Sequence, residues 1–359
     1  MQEYFTEIKD PRHQSYVKHK LADVLIIVMS AVLCGLDELS KIEVFAKTKA
    51  EFFKKYFAID KVPSKPTLSR ILSIIDGKEV AEAILNLMKD KITGTEEVIA
   101  IDGKAIRSTA SKDKPHSALQ ILTAYLTENG VILGQEKIDE KSNEIPALQQ
   151  MLKYLNIKGK ILTADALHCQ KETCAAIVKR KGNYVLGLKA NQKSLYEDVK
   201  LYFEQPPEGI EFEVAGTSEK NKGRVENRTC RKASDIGWLQ REHKFPGLKA
   251  VISVEREIGR SRQTSYYISS AEVTSEKFLQ IVREHWKIES LHWQLDVVFN
   301  EDESEYGSEN AHLTLNILRK FALMKHKIYL SDKPRKSSFR GNMLKALLDE
   351  DLLLDIITV

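Results

Sequence analysis

The order of apolar segments between residues 98 and 188 limits the possible folds of this sequence more than any other feature. The run at 98–101 is too short and too uniformly apolar for an amphipathic helix, so it predicts a strand buried on both faces. Two strands follow, joined by Glu128-Asn129-Gly130, a strong hairpin signal. Helices and strands then alternate. We predict strands at 98–101, 118–125 and 131–137, a helix at 146–155, a strand at 160–164, a helix at 170–181 and a strand at 184–188.

This order predicts a sheet in which the first and fourth strands lie side by side. Three antiparallel strands followed by alternating helices and strands form the order of an RNase H-like sheet. Asp102 follows the first strand and Asp165 follows the fourth, so both carboxylates become neighbours there. Taken alone, Asp102 and Gly103 are also a common turn pair that would end the first strand. The predicted fold class is α/β, with a mixed RNase H-like sheet and helices.

Helical patterns fill the chain before this sheet. Helices are predicted at 21–36, 42–56 and 67–75. Thr67 follows the turn at 62–66 and is a candidate cap for the third helix. Short helices around a turn with basic residues suit a DNA-binding module, and they equally suit a plain helical bundle with a solvated face.

The chain after residue 200 becomes strand-rich again. Strands are predicted at 210–214, 224–231, 248–257 and 263–269, and helices from about 275 and at 311–326. The domain prediction is a helical N-terminal domain at 1–90, an RNase H-like domain at 91–320 with a β-rich insertion at 200–272, and a basic helical tail at 321–359.

Charge and cysteine usage limit the partners and the compartment. Fifty-five basic and 51 acidic side chains give a net charge of +4, so DNA contact must rest on local basic clusters, at 220–231 and 333–340. The four cysteines form no CxxC pair, which predicts free thiols in a reducing cytoplasm. The apolar run at 21–36 contains Asp23 and is shorter than the ~20 residues that span a bilayer, so we expect a buried helix and no membrane partner.

One stretch of the late helix, residues 283–296, carries an unusual face. His285, Glu289, His292, Trp293 and Asp296 share it at helical spacing, and Trp286 borders it. Two tryptophans beside a carboxylate predict a face turned away from solvent. Two alternatives are an aromatic core with a buried ion pair, and a di-metal bundle that uses Glu289-x-x-His292 with a second step from Glu309 to His312.

Asp102, Asp165 and Glu289 are the three carboxylates that an RNase H-like fold would bring together. Phosphoryl transfer on nucleic acid needs hard oxygen ligands, and two Mg²⁺ or Mn²⁺ ions about 4 Å apart could activate the attacking oxygen and stabilise the leaving one. Without metal the carboxylates repel one another, which predicts raised pKa values.

Several motifs, in this order and spacing, resemble the DDE insertion-sequence transposases of the H-repeat-associated group along nearly the whole chain. The motifs are DPRHQSYVKHKLADVL, AIDGKAIRS, DEKSNEIPAL, TADALHCQKETCAAIVKRKGNYVLGLKANQ, KGRVENR and REHWKIESLHWQLDVVFNED. The resemblance implies an RNase H-like catalytic domain and assigns the metal-binding triad to Asp102, Asp165 and Glu289. The broader relatives carry a Tyr, Arg, Glu, Lys signature, but Val282, His285 and Asp296 stand at its Tyr, Arg and Lys positions here.

Candidate DNA-binding residues come from three places in the sequence. Lys104 and Arg107 follow Asp102, and the resemblance points to the LKANQ turn. Arg224 and Arg228 lie on one face of a predicted strand, where guanidinium groups could bind phosphates or simply face solvent. On the late helix, basic side chains could replace the missing signature residues. The full set is Lys104, Arg107, Lys189, Asn191, Gln192, Arg224, Arg228, Arg283, His285, Lys287 and His292.

The predicted activity is DNA transposition. Water would hydrolyse a phosphodiester at the end of the element, and the freed 3′-hydroxyl would attack target DNA. Because two ends must be joined in one event, we expect at least a homodimer on terminal inverted repeats and target DNA, on the bacterial nucleoid. Two alternatives are an inactive or domesticated descendant that only binds DNA, and an RNase H-like nuclease that never joins strands.

Overall fold

The computed structural model describes residues 2–88, 98–110, 118–139, 142–221, 224–331 and 337–358. Its strands are β1 Val98–Ile106, β2 Leu119–Leu126, β3 Val131–Ile138, β4 Ile161–Ala164, β5 Asn183–Leu188, β6 Glu213–Asn221, β7 Arg224–Ala233, β8 Ala250–Ile258 and β9 Ser261–Ser269. Its helices are α1 Gln2–Thr6, α2 Leu21–Leu33, α3 Leu39–Thr48, α4 Ala50–Phe57, α5 Lys65–Ile74, α6 Gly77–Leu87, α7 Glu144–Met151, α8 Lys171–Lys179, α9 Lys193–Glu204, α10 Gly237–His243, α11 Ser275–Phe299, α12 Glu309–Ser331, α13 Phe339–Leu348 and α14 Glu350–Thr358.

All of these strands belong to one mixed sheet in the order β3-β2-β1-β4-β5-β9-β8-β7-β6. The hairpin of β2 and β3 is antiparallel, whereas β1, β4 and β5 run parallel to one another. Every residue of β4 is buried, so both faces of the sheet are covered there. The order of the first five strands confirms the predicted RNase H-like α/β fold.

The prediction that Asp102 and Gly103 end the first strand is wrong. β1 continues to Ile106 because β2 supplies antiparallel partners as far as Leu119. Only the parallel pairing with β4 stops, after Ile101. Asp102 therefore lies within a strand, at the position where its shorter neighbour has ended.

The β-rich insertion extends this sheet instead of forming a separate layer. β9 pairs antiparallel with the edge of β5, with Val185 opposite Ser269, and β8, β7 and β6 follow outward. The first strand of the insertion was predicted at 210–214, but β6 begins at Glu213 because its partner β7 sets the register. A hydrophobic cluster joins β8 to the first part of α11, through Ile252 and Phe278 among others.

The N-terminal helices pack around α12. α2 is buried along almost its whole length, and α2, α5 and α6 all contact α12. The single helix predicted at 42–56 is two helices, α3 and α4, which meet at Lys49. Ser64, not Thr67, precedes the first residue of α5, so the predicted cap is wrong. The division of the chain into three domains stays a prediction.

Two further features concern α2 and the cysteines. None of the helices in the described ranges combines the length and the apolar character needed to cross a bilayer. All four cysteines are buried with free thiols.

Candidate active site

Two carboxylates lie side by side where the pairing of β1 and β4 ends. The last parallel pair is Ile101 opposite Ala164, and Asp102 and Asp165 are the next residues on each strand. Asp165 is exposed and precedes a single 3-10 turn, Ala166–His168. The order of the strands along the chain thus brings these two aspartates to the same edge of the sheet.

The third carboxylate, Glu289, reaches the same place from α11. This helix packs over β1 and β4. Burial and the negative charges of Asp102 and Asp165 together raise the pKa of Glu289. The structure therefore brings the three predicted carboxylates within electrostatic range of one another, and the predicted rise in pKa is confirmed for Glu289.

The donor set fits a hard divalent cation, although the side chains do not already converge on one. Within the described ranges, no group of three or more His, Cys, Asp or Glu side chains is close enough to hold a metal ion. Asp102, Asp165 and Glu289 nonetheless supply the oxygen ligands that Mg²⁺ and Mn²⁺ prefer. Their mutual repulsion, visible in the raised pKa of Glu289, is the interaction that a bound cation would remove.

Two histidines of α11 point at the ends of the same strands. Nδ1 of His292 lies 3.3 Å from Oδ2 of Asp102. His292 Nε2 is buried and has no hydrogen-bond partner in the described part of the chain. Nδ1 of His285 lies 3.0 Å from the hydroxyl of Thr163, and burial lowers the pKa of His285 although Asp102 acts in the opposite direction. Both rings thus face the carboxylates, and their contact with DNA stays a prediction.

The structure gives no support to the di-metal alternative. Its second step, Glu309 to His312, lies on a different helix from Glu289, at the start of α12. There Glu309 pairs with Lys137 at 2.7 Å, and the His312 ring packs edge-on against Tyr306. Glu309 is thus paired with a lysine, and among the described residues no group of three or more His, Cys, Asp or Glu side chains assembles around His312.

A cleft opens beside Asp165 and Glu289, between α11 and the junction of β5 with β9. Its wall combines aromatic rings with hydroxyl and ammonium groups: Lys189, Tyr196, Thr264, Tyr267 and Trp286. The cleft therefore gives access to two of the three carboxylates from solvent.

The expectation that the tryptophans of α11 face away from solvent is wrong. Trp293 is 63% exposed and Trp286 is 38% exposed. The buried stripe of this helix is Ile281, Ile288, Leu291, Leu295 and Phe299, which is offset from the face of Glu289. The guanidinium groups of Arg228 and Arg256 lie 5.2 and 4.9 Å from the Trp286 ring.

The two basic residues after Asp102 have opposite environments. The Lys104 ammonium lies 2.9 Å from Asp296 and 3.1 Å from Asp302, and only 9% of its side chain is exposed. Arg107 is 83% exposed. Arg107 also lies 3.5 Å from Asp302, but its guanidinium is exposed to solvent, so the proposed DNA surface includes Arg107 and not the buried Lys104.

The LKANQ turn lies at the edge of the cleft. Lys189 is exposed. The Asn191 side chain donates to the backbone oxygen of Ala166 at 2.6 Å, and Gln192 donates to Gln170 at 3.1 Å. Asn191 thus supports the turn after Asp165, and a DNA contact by any of the three stays a prediction.

The arginines of the insertion and of α11 are largely paired with glutamates. Arg228 pairs with Glu226 at 2.6 Å, and Arg283 pairs with Glu219. The remaining predicted contacts differ. Lys287 donates to the backbone oxygen of Thr127 at 3.2 Å, and Arg224 begins β7 with its side chain outside the described set.

The two predicted basic clusters fall partly on residues that are not described. These residues are 222–223 in the first cluster and 332–336, which covers the start of the second. Of the second cluster, the described Arg340 donates to the backbone oxygen of Val297. Both clusters stay predictions.

Sequence reasoning missed one polar pair next to the aspartates. Oε2 of Glu144, at the start of α7, lies 2.9 Å from Nε2 of the buried His168. The signal was present, because Glu144 belongs to DEKSNEIPAL and His168 follows Asp165 by three residues. Neither residue was assigned a role.

Comparison with known proteins identifies the family. The family described as "Transposase DDE domain" matches residues 93–325, and the family "DDE_Tnp_1-associated" matches residues 2–88. The chain is 34% identical over 375 aligned positions to "H repeat-associated putative transposase YhhI" of Escherichia coli K12, covering 99% of this chain and 97% of that protein. It is 35% identical over 337 positions to "Putative transposase YncI" of Escherichia coli O157:H7, covering 89% of this chain and 85% of that protein.

A third relative is much shorter. "Inactive transposase YbfQ" of Escherichia coli K12 is 31% identical over 74 positions, covering 20% of this chain and 88% of that protein. The sheet order, the adjacent aspartates and the full-length similarity agree with one another. This chain belongs to the DDE transposase family, in its H-repeat-associated group.

Proposed function

We propose that this protein is a DNA transposase that cuts phosphodiesters at the ends of its element and joins the freed ends to target DNA. The observation that carries the proposal is the meeting of three carboxylates at one edge of an RNase H-like sheet. Asp102 and Asp165 come directly after the last parallel pair of β1 and β4, and burial together with their charges raises the pKa of Glu289. The names of the relatives support the same activity.

In the proposed chemistry, Asp102, Asp165 and Glu289 are the residues that would hold two Mg²⁺ or Mn²⁺ ions. Bound divalent ions supply Lewis-acid activation of the attacking oxygen and stabilisation of the leaving oxygen. Water attacks phosphorus and the bond to the 3′ oxygen breaks, which leaves a 3′-hydroxyl on the element. That hydroxyl then attacks a target phosphorus, and the target strand leaves with its own 3′-hydroxyl. His292 orients Asp102 through its 3.3 Å contact.

The DNA would lie across the open edge that carries the carboxylates. Arg107 and Lys189 are exposed there, and the cleft beside Asp165 admits part of the strand. Such phosphate contacts release counterions, so binding weakens steeply with salt. Joining two ends calls for a homodimer on DNA, and the DNA substrate places the protein in the bacterial cytoplasm with the nucleoid.

A second candidate is a descendant that binds DNA without cutting it. Two observations favour considering it. The described side chains do not form a ready-made metal group, and Val282, His285 and Asp296 replace the Tyr, Arg and Lys of the broader signature. A third candidate, a nuclease that cuts without joining, differs from the first only in its products.

The test is cleavage of a linear duplex that carries the terminal repeats flanking the gene, with Mg²⁺ or Mn²⁺. We compare the wild type with Asp165→Asn, which removes a metal ligand but keeps the side-chain volume. Loss of the metal contribution is expected to slow cleavage by at least about 10³-fold while DNA binding persists. The matched control is Asp198→Asn, on α9 away from the site, where Asp198 pairs with His243.

Each outcome selects one candidate. Cleavage with strand-transfer products that depends on Asp165 supports the transposase. Cleavage without joined products supports the nuclease. Binding of the ends without cleavage in either metal would refute catalysis and leave the DNA-binding descendant.

A further inference from the structure

A buried polar pair links the two chain segments that carry the site aspartates. The Glu144 carboxylate and the His168 ring meet at 2.9 Å, with His168 fully buried and Glu144 23% exposed. Glu144 is the first residue of α7, and His168 ends the turn that follows Asp165. Neither residue takes part in the proposed chemistry above, so their burial next to the site calls for its own explanation.

On the β1 side, Glu144 packs directly on the residue after Asp102. Gly103 has no side chain, and a Cβ placed on it would lie 2.7 Å from Cδ of Glu144. That distance is too short for any real Cβ contact. The glycine in the motif AIDGKAIRS therefore leaves the space that the Glu144 carboxylate occupies, and a larger residue there would require the end of that side chain to move.

On the β4 side, His168 fixes the turn after Asp165. Its backbone N–H donates to the backbone oxygen of Asp165 at 3.0 Å. Its ring Nδ1 is buried without a partner among the described residues. An unpartnered buried nitrogen favours the tautomer in which Nε2 carries the proton and donates to Glu144. From the other side, Asn191 donates to Ala166 at 2.6 Å, so the turn is held at both ends.

Such a support answers a physical need of this site. Asp102, Asp165 and Glu289 carry like charges, and their repulsion acts to separate β1 from the turn after β4 whenever no cation is present. The backbone pairing of β1 with β4 stops at Ile101 and Ala164, one residue before the aspartates. Side-chain contacts must therefore hold the two carboxylates together beyond the last strand pair.

We propose that Glu144 and His168 are positioning residues, which hold the strand that carries Asp102 and the turn that follows Asp165 against each other so that both aspartates can bind a divalent cation. The inference rests on the proposed function in one respect, because it assumes that these aspartates bind a cation. It adds a role for the motif DEKSNEIPAL, for the glycine after Asp102 and for the histidine after Asp165.

The test measures binding of Mn²⁺ alone to the full-length, metal-free protein by titration calorimetry. Glu144→Ala is expected to weaken Mn²⁺ binding by about 10- to 100-fold, as loss of contacts that support metal ligands typically does. Glu144→Gln keeps an oxygen that accepts from His168, so it keeps most of the affinity. Glu172→Gln, an exposed glutamate in the first turn of α8, is the matched control and leaves binding unchanged.

A second set of variants tests the contact itself. Gly103→Ala introduces a Cβ against Glu144 and is expected to weaken Mn²⁺ binding in the wild-type background. In the Glu144→Ala background the same change no longer meets the Glu144 carboxylate and causes no further loss. Equal effects in both backgrounds would overturn the inference. Circular dichroism checks folding, and the comparison of Glu144→Gln with Gly103→Ala decides the matter if Glu144→Ala does not fold.

The failure of this inference is distinguishable from the failure of the proposed function. If the wild type binds no Mn²⁺, or if binding survives Asp165→Asn, both are overturned. If the wild type binds Mn²⁺ and Asp165→Asn does not, while Glu144→Ala binds as the wild type does, the positioning role alone is overturned.

Discussion

Two groups of carboxylates surround neighbouring positions of β1, one around Asp102 and one around Lys104. In the first group the negative charges are not balanced, and in the second they are paired with positive charges. Asp102 and Lys104 share one face of β1, and α11 supplies a contact to each, His292 to Asp102 and Asp296 to Lys104. Around Asp102, the neighbouring carboxylates are those of Asp165 and Glu289, and the three repel one another. Around Lys104, the carboxylates of Asp296, Glu301 and Asp302 are attracted to its positive charge.

The second group is a buried, compensated network. Arg319 of α12 is fully buried and pairs with Asp37 at 2.7 Å and with Glu301 at 3.1 Å, and Glu301 lies 3.6 Å from Lys104. Burial acts to raise the pKa of Glu301, but the positive charges of Arg319 and Lys104 outweigh it and lower the pKa.

One glutamate from each group shows how the two charge environments differ in their effect on the pKa. Glu289 is more exposed than Glu301, yet its pKa rises where that of Glu301 falls. For these two glutamates the sign of the neighbouring charge sets the direction, whereas at Asp37, which also pairs with Arg319, burial outweighs the positive charge and raises the pKa. The compensated network is a buried structural element, and the uncompensated cluster is the one for which we propose cation binding.

The largest expected effect is on the compensated network. Arg319→Ala leaves Asp37 and Glu301 with less positive charge in a buried place, and we expect a loss of about 3–5 kcal/mol in the free energy of unfolding. Urea denaturation at pH 7 measures it. The control is Lys47→Ala, which removes an exposed pair with Glu43 and should leave the midpoint unchanged. A loss no larger than that of the control would contradict the comparison.

An intermediate effect is expected at Lys320, a buried cation beside the network. It donates to Thr123 at 2.8 Å and to Gln135 at 3.2 Å, and burial lowers its pKa to about 7. Between pH 7 and 10.5 the unfolded chain binds this proton and the folded chain does not, so stability rises with pH, by up to about 1.4 kcal/mol per pH unit.

Lys320→Met should remove this slope. Unfolding free energies of both proteins at pH 7, 8 and 9 measure it. Lys200→Met, on the exposed side of α9, should keep the wild-type slope. A wild-type slope that persists in Lys320→Met would show that another group, and not Lys320, causes it.

The smallest expected effect is at Glu289, measured with EDTA present. Its raised pKa means that protonation favours the folded state, so this contribution is complete below pH 4.5 and is lost as pH rises through the raised pKa. Glu289→Gln should therefore equal the wild type at low pH and exceed it at pH 7, by less than about 1 kcal/mol because solvent screens an exposed group.

Glu301→Gln provides the comparison of opposite sign. The lowered pKa of Glu301 gives stability that is present above pH 4.5 and is lost as pH falls through the folded pKa. The wild type should therefore exceed Glu301→Gln at pH 7, with the difference shrinking in acid. Thermal melts at pH 3–7 measure both variants. The same sign for both would refute the contrast between the two groups.

Most elements of the sheet could be predicted from the sequence because their signals are local. Each signal is contained within about ten residues of sequence. Examples are the apolar run before Asp102, the hairpin at Asn129-Gly130 and the strand before Asp165. The predicted strand order made Asp102 and Asp165 neighbours. In the structure they come directly after the last residue pair of the adjacent strands β1 and β4. The roles of the site residues remain proposals for the experiments above.

Other features depend on residues far apart in the chain. The end of β1 was misplaced because the partner that extends it, β2, is not visible in the Asp-Gly pair. The tryptophans were misplaced because the register of the buried stripe of α11 depends on the surface it packs against. Lys104 looked like a free cation because Asp296 and Asp302 lie almost 200 residues away.

By itself, the sequence determined the fold class and the family, since hydrophobic periodicity and motif order are properties of the chain, and it predicted three site carboxylates whose role is a proposal. Only the tertiary structure decided that the insertion extends the sheet, that Lys104 is neutralised while Arg107 is exposed, and that Glu144 meets His168 beside Gly103. The reason is physical. The state of a charged or polar group depends on which groups lie within a few ångströms, and distant segments supply those groups only after the chain has folded.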